Sequence, residues 1–181
     1  TKQAFLLEAA KQFSFVYVPR FYEFGDSGLT AKVDGLRTEF ENAVVRDFEI
    51  APIPEKPIVP FVQTVHERVS IEIMRGCTQG CRFCQAGMIY RPLRERSADE
   101  VVQAAQDIAH CTGYPEVGLI SLSSADHSQI RQIVERILNL PGRPPLSVSL
   151  PSLRTDTFSV ELAQLFGRHS GLTFAPEAGS Q

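Results

Sequence analysis

Three of the four cysteines lie close together in the sequence. Cys77, Cys81 and Cys84 have the spacing Cys-x3-Cys-x2-Cys, whereas Cys111 stands apart. If four cysteines were scattered at random, this spacing would occur in roughly 2 chains per 1,000, so it indicates a motif. Thiolates are preferred ligands of soft metals and iron–sulfur clusters. A disulfide framework is the weaker interpretation, because the motif holds an odd number of cysteines and no secretion signal opens the chain.

The number of cysteines also bears on which metal would bind. A structural zinc site has four protein ligands, typically arranged as two pairs. The chain has no second pair of this kind, although a fourth ligand could come from Cys111, His66, His110, His127 or His169. Three thiolates without a fourth suit a four-iron cluster with one iron open to an exogenous ligand. Two classes of function therefore remain: an enzyme built on such a cluster, and a non-catalytic zinc or electron-transfer module of a larger assembly.

The segments around the motif alternate between strand and helix patterns. Short apolar segments predict four strands, over residues 69–74, 117–122, 146–150 and 172–175. A capping box, Ser97 to Glu100, begins the first intervening helix, and apolar residues at helical spacing predict two more, over 130–138 and 158–167. Strands separated by such helices indicate right-handed crossovers and a parallel sheet. The fold class is therefore α/β, with the cysteines just beyond the carboxyl end of the first strand, where parallel sheets bind ligands.

Residues 1–60 differ in character from residues 61–181. They predict a helix over 5–13, a strand over 15–18, hairpin strands around 28–33 and 44–48, and an extended connector over 51–60 with four prolines. Overall, the chain is 43% hydrophobic and 22% charged with a net charge of −3, and its apolar runs end well short of a membrane span. The composition predicts a cytoplasmic protein without a membrane partner. It also implies that any nucleic acid would bind through a local patch.

The string Cys77-Thr-Gln-Gly-Cys81-Arg-Phe-Cys84 resembles the signature of radical S-adenosylmethionine (SAM) enzymes. A longer string over 74–97, together with 147–154 and 174–179, resembles a bacterial family in which a cobalamin-binding domain precedes the radical SAM core. The resemblance covers residues 15 to 181 or so. It implies a partial (β/α) barrel truncated to about four strands, since a radical SAM core resembles a six-unit partial barrel. It further implies that residues 1–60 form an interdomain region and residues 61–181 the N-terminal part of the core.

The resemblance also implies cofactors and partners. Cys77, Cys81 and Cys84 would each bind one iron of a [4Fe–4S] cluster, and SAM would bind the open iron. The reduced cluster would cleave SAM to a 5′-deoxyadenosyl radical, with an electron donor such as flavodoxin or ferredoxin. Cobalamin is a candidate further cofactor, held by a domain not in this chain. The substrate, a small molecule or RNA, is not identified, and no residue that acts on it is assigned.

The same resemblance suggests residues that would contact SAM. Phe83 would lie near the adenine, or alternatively pack in the core. The related enzymes have a Gly-Gly-Glu-like segment for the methionyl amine, and residues 121–126 depart from it, which leaves Ser123, Ser124 and Asp126 as weaker candidates. Arg154 could pair with the methionyl carboxylate and Glu177 could contact the ribose or amine. For Arg154 and Glu177, an ordinary salt bridge is the alternative.

Three further features of the sequence lead to predictions: a run of arginines, the fourth cysteine and the last predicted strand. Six arginines lie between residues 68 and 96, against two glutamates, and such a run is usually a solvated face. The alternative is a binding patch for an anionic substrate such as RNA. Cys111 is expected to be a small buried hydrophobic residue. A fourth strand at the end of the sheet would leave an unpaired edge, which predicts marginal stability or oligomerisation.

Overall fold

A computed structural model describes residues 1–62, 64–141, 145–156, 160–166 and 174–176. The chain divides into two compact units, Thr1–Val45 and Arg46–Gln181. The predicted division lay at residue 60, but Phe48 and Ala51 contact arginines of the second unit. The assignment of residues 1–60 to an interdomain region stays a prediction. Among the described residues, no helix is both long and apolar enough to cross a membrane.

The first unit consists of a helix and a hairpin. Helix α1 (Lys2–Gln12) begins at Thr1, whose Oγ1 accepts a hydrogen bond from the N–H of Ala4 at 3.3 Å. Strands β1 (Tyr22–Gly25) and β2 (Gly28–Ala31) pair antiparallel. A two-residue turn between Gly25 and Gly28 joins them, as is common in hairpins. The rings of Tyr17, Tyr22 and Phe40 pack together with centroids 5.0 to 5.6 Å apart.

The strand predictions for residues 15–18 and 44–48 are wrong. A turn ends at residue 15, residues 16–18 have no regular secondary structure, and a single 3-10 turn follows at Pro19–Phe21, where the proline has no N–H to donate to a ladder. The predicted strand around 28–33 exists as β2, but its partner is β1 rather than residues 44–48. Within 44–48, Phe48 is buried instead by side chains of the second unit.

The second unit is a mixed α/β unit. In chain order its elements are β3 (Val69–Glu72), β4 (Met74–Arg75), α2 (Gln85–Ile89), β5 (Arg94–Glu95), α3 (Ala98–Thr112), β6 (Glu116–Ile120), α4 (Ile130–Leu138), β7 (Ser147–Ser149), β8 (Leu153–Arg154), α5 (Val160–Leu165) and β9 (Phe174–Ala175). Strands β3, β6 and β7 form a parallel three-stranded sheet in that order. The predicted α/β class and the parallel pairing of the first three strands are confirmed.

The fourth predicted strand pairs differently from the expectation. Its described part, β9, pairs in parallel with β8, with Leu153 opposite Phe174 and Arg154 opposite Ala175. It therefore has a strand neighbour on one side, but in the described residues it does not extend the β3-β6-β7 sheet. Residues 150–152, between β7 and β8, have no regular secondary structure. The partial barrel stays a prediction.

Helices α3 and α4 cover the sheet with a shared apolar core. Ile71, Val117 and Leu119 from the sheet are fully buried, as are Val101 and Ile133 from the helices. Helix α3 begins at the predicted Ser97 cap, whose Oγ accepts from the N–H of Glu100 at 3.3 Å. It ends at a glycine with φ of +74°. The amphipathic pattern predicted for both helices is confirmed.

Candidate functional site

The three clustered cysteines lie in one loop, residues 76–93, here called the cysteine loop. Strand β4 enters the loop and β5 leaves it, and the two pair antiparallel, so they close its base. Gly76, the first residue of the loop, has φ of +92°. A Cβ at this position would lie 2.7 Å from the carbonyl oxygen of Pro92 and 2.9 Å from that of Tyr90. Only glycine fits where the two ends of the loop meet.

Segments that follow two further strands of the sheet hold the cysteine loop. Gln79 donates from Nε2 to Oδ2 of Asp126 at 3.0 Å, and Asp126 lies beyond the carboxyl end of β6. Arg154, which lies beyond β7, donates from Nη1 to the sulfur of Cys81 at 3.2 Å. The loop itself follows β3 by way of β4. The carboxyl ends of all three parallel strands thus contribute to this site, as the sequence predicted for the position of the cysteines.

Each of the three thiols is free, half-buried and hydrogen-bonded. The sulfur of Cys77 accepts from the N–H of Gln79 and that of Cys84 from the N–H of Gly87, both at 3.4 Å. Cys81 accepts from Arg154. Burial raises the pKa of the Cys77 thiol, the Gln79 N–H lowers it in part, and the charge of Asp126 raises it further. Hydrogen bonds to cysteine sulfur stabilise the negative charge that a thiolate ligand carries.

The donor set fits a cluster with three cysteine ligands. Cys77, Cys81 and Cys84 are free thiols and so are available as ligands. Across the ranges that the structure describes, no three His, Cys, Asp or Glu side chains surround a single metal position. A four-iron cluster does not require such convergence, because each thiolate binds a different iron. Cys111 is exposed on the last turn of α3, so its predicted burial is wrong; the apolar face of that helix ends before it.

The other predicted site residues differ in their surroundings. Phe83 is 71% exposed, which excludes the core-aromatic alternative for its ring. Ser124 is buried and structural, since its Oγ donates to the carbonyl of Leu119 and its N–H to that of Ser152, both at 3.0 Å. Ser123 is also buried, and its Oγ has no hydrogen-bond partner among the described residues. Glu177 lies outside the described residues.

The arginines of the run differ in their surroundings: Arg96 is buried, and the other five are exposed or half-buried. The guanidinium groups of Arg75, Arg94 and Arg96 lie 4.4 to 6.0 Å from the centroid of the Phe48 ring. Arg96 is only 4% exposed, is ion-paired with Glu100, and donates to the carbonyl of Ala51 at 2.8 Å. The solvated-face interpretation is therefore wrong for Arg96, because its charge is paired within the unit. Arg82 and Arg91 are exposed, as expected of such a face.

Two contributors to the site, Gln79 and Asp156, were not predicted from the sequence, and His127, which was named as a possible zinc ligand, has another role. Gln79 lies between the first two cysteines, and its position there was the signal that could have pointed to it. Asp156 holds Arg154 two residues away, at 2.7 and 3.0 Å. His127 is buried, accepts at Nδ1 from the N–H of Gln129 and so donates from Nε2 to the carbonyl of Arg96, each at 3.0 Å. That histidine is structural.

Two clefts border the site. One of about 350 Å³ is lined by Gly76 and Tyr90 from the cysteine loop and by Ser121 and Leu122 after β6, among others. The second, of about 220 Å³, also borders Leu122 and includes Arg154. Both lie beside the carboxyl ends of the parallel strands, and they give the site adjoining space for a ligand.

Comparison with known proteins agrees with this geometry. The model of the radical SAM superfamily matches residues 71–180, which is more than half of the chain. An uncharacterised protein of Methanocaldococcus jannaschii is 37% identical over 111 residues, which are 61% of this chain and 24% of that protein. The chain therefore spans about a quarter of the length of this curated relative. The matched span includes the cysteine loop and all of the parallel sheet except the first two residues of β3, and the chain belongs to the radical SAM superfamily.

Proposed function

We propose that this chain is the cluster-binding part of a radical SAM enzyme, with Cys77, Cys81 and Cys84 as the iron ligands. The observation that carries the proposal is that three free thiols, each accepting a hydrogen bond, share one closed loop beyond the end of a parallel sheet. Superfamily membership implies a [4Fe–4S] cluster and SAM. When bound, that cluster supplies the electron that cleaves SAM to the 5′-deoxyadenosyl radical, which takes hydrogen from the substrate.

In this proposal the chain's own residues bind and orient. The cysteine loop provides three ligands, and the absence of a fourth cysteine in the motif leaves one iron for the amino and carboxylate groups of SAM. Gln79 fixes the loop to Asp126. The exposed ring of Phe83 is free to pack against the adenine, and the buried Oγ of Ser123 is a donor for a polar group of SAM. The adjoining clefts would hold the rest of the cofactor and part of the substrate.

The substrate and the partners belong to the proposal as well. Arg68, Arg75 and Arg96 are ion-paired within the second unit, which removes them from any basic patch. This favours a small-molecule substrate over RNA, because RNA binding needs several unpaired cations. A flavodoxin or ferredoxin is the proposed electron donor. Cobalamin, bound by another domain, is kept as a candidate cofactor on the sequence resemblance alone, and a corrinoid absorbance spectrum of the whole protein would test it.

The proposal is tested by anaerobic reconstitution with iron and sulfide. We expect about four irons per chain, an EPR signal after reduction that changes when SAM is added, and release of 5′-deoxyadenosine under dithionite. One zinc per chain without iron would contradict the proposal and favour a non-catalytic zinc module. A cluster whose EPR spectrum is unaltered by saturating SAM would favour an electron-transfer module.

A further inference from the structure

The guanidinium group of Arg154 is held between a carboxylate and a cysteine sulfur. Its Nε and Nη2 donate to the two carboxylate oxygens of Asp156 at 3.0 and 2.7 Å. Its Nη1 donates to the sulfur of Cys81 at 3.2 Å. Such a bidentate pair fixes the plane and direction of the guanidinium, so the third donor has one orientation.

The backbone around Arg154 is also fixed. Arg154 belongs to β8, where it pairs with Ala175, and its neighbour Leu153 is 1% exposed. The carbonyl of Ser152 accepts from the N–H of Ser124, which ties this segment to the end of β6. The Arg154 side chain is itself only 15% exposed, so little water competes for its donors. The contact with Cys81 therefore comes from a preorganised donor rather than a mobile surface side chain.

This arrangement bears on the role that the resemblance suggested for Arg154. A guanidinium binds a carboxylate best through two parallel N–H groups on one edge. In Arg154 the edge formed by Nε and Nη2 already binds Asp156. Its remaining contact is with a thiol of the cysteine loop. The methionyl carboxylate of SAM would have to displace Asp156 to use that edge, and the Nη1 end that is left to it lies against Cys81.

We propose that Arg154 is a positioning residue that acts through Cys81: it orients this ligand and raises the reduction potential of the cluster by donating to its sulfur. The proposal rests on the proposed function, in which Cys81 binds iron. A cationic donor stabilises negative charge on the sulfur, and a reduced cluster carries one more negative charge than an oxidised one. The donor therefore favours the reduced form, and its loss makes reduction harder. Asp156 serves to hold the donor in place.

The test compares Arg154→Gln and Arg154→Lys with the unsubstituted 181-residue chain, each reconstituted anaerobically. Arg131→Gln is the matched control, because it removes the same charge from an arginine that pairs with Glu135 on the exposed side of α4. The measurements are iron content, the midpoint potential of the SAM-free cluster by EPR-monitored titration, and the dissociation constant of SAM for the reduced cluster. Potential and SAM affinity separate an effect on Cys81 from an effect on the methionyl carboxylate.

We expect Arg154→Gln to lower the SAM-free midpoint potential, Arg154→Lys to restore part of the shift, and SAM affinity to stay within about threefold of the parent. The control should leave both quantities unchanged. An unchanged potential with SAM binding weakened tenfold or more would overturn the inference and assign Arg154 to the carboxylate. If Arg154→Gln holds no cluster, the potential of Arg154→Lys decides, and a value equal to the parent's overturns the inference. Failure of the unsubstituted chain to bind iron would instead overturn the proposed function, and this inference with it.

Discussion

Each thiol of the cysteine loop receives its hydrogen bond from a different donor. The donor to Cys77 is a backbone N–H two residues ahead, and the donor to Cys84 is the N–H of Gly87 in the first turn of α2. Cys84 thus also caps α2. Only Cys81 depends on a side chain distant in sequence, Arg154. Two of the three ligand environments are therefore local consequences of the motif, whereas the third requires the sheet to bring the arginine close.

At this scale we expect Cys77→Ala, Cys81→Ala and Cys84→Ala each to prevent stable cluster assembly. Cys111→Ala is the matched control, because its exposed thiol lies on α3 outside the loop. Iron and sulfide analysis after reconstitution should give about four irons for the control and well under half of that for the other three variants. A parent-like iron content in any of those three would remove that cysteine from the ligand set.

Gly76→Ala should destabilise the cysteine loop. The substitution places a side chain at φ of +92° and a Cβ within 3.0 Å of the backbone of residues 90, 92 and 93. The left-handed backbone alone costs about 1–3 kcal/mol, and the contact with fixed backbone adds to it. Gly80→Ala is the control, since a Cβ there meets nothing within 4 Å.

Urea unfolding of both glycine variants measures this difference. The control should stay within about 0.5 kcal/mol of the parent in its free energy of unfolding. Equal destabilisation by the two substitutions would show that the ends of the cysteine loop are not in close contact.

Among the elements, the short β4-β5 ladder matters most for the site. It closes the cysteine loop with two residue pairs. Such a ladder is marginal without support. Arg75 and Arg94 on the ladder, and Arg96 just after it, all lie around the Phe48 ring. The segment that carries Phe48 therefore acts as a support for the base of the cysteine loop, although it lies far from the loop in sequence.

Phe48→Leu is expected to destabilise the second unit by about 1–2 kcal/mol, because leucine keeps an apolar side chain but loses the attraction between the ring and three cations. Phe24→Leu is the matched control, since Phe24 is 84% exposed in the first unit. Urea unfolding followed by circular dichroism measures both. If the two variants are equally stable, the arginines do not depend on the aromatic ring.

For the molecule as a whole, the site is described within the second unit. In the described part of the chain, the hydrogen bonds given above for the cysteine loop and the core around β3, β6 and β7 join residues of Arg46–Gln181. Phe48, Ala51 and Ile53 belong to this set through their contacts with Arg96 and the core. The first unit has a separate small core that includes Phe21 and Tyr22.

Two N-terminal truncations test this division. A chain that begins at Arg46 should bind iron as the full chain does, because it keeps every contact described for the cysteine loop. A chain that begins at Pro54 should lose stability and iron, because it lacks Phe48 and the Ala51 carbonyl that binds Arg96. The iron content after reconstitution and the thermal unfolding temperature of both truncations test this expectation. Equal behaviour of the two truncations would favour a functional boundary nearer the predicted residue 60.

Features that depend on neighbouring residues could be predicted from the amino-acid sequence alone. The cysteine spacing, the Ser97 cap and the apolar faces of α3 and α4 are local patterns, and the structure has them where they were predicted. The parallel order of β3, β6 and β7 followed from the helices between them, since a crossover of that length permits little else. Pairing of β9 was not predictable, because a two-residue strand carries too weak a pattern to specify its neighbour.

The side chains that meet at the site from distant parts of the sequence could be identified from the folded structure but not from the sequence. Nothing in the sequence around Arg154 indicates that it contacts Cys81, and nothing near Phe48 indicates that three arginines surround it. The sequence predicted a solvated face for the arginine run, because a charge pattern does not reveal ion-pair partners such as Glu72 and Glu100. The physical reason is general: local propensity acts over a few residues, whereas hydrogen bonds and ion pairs of the site join segments that only the folded sheet brings together.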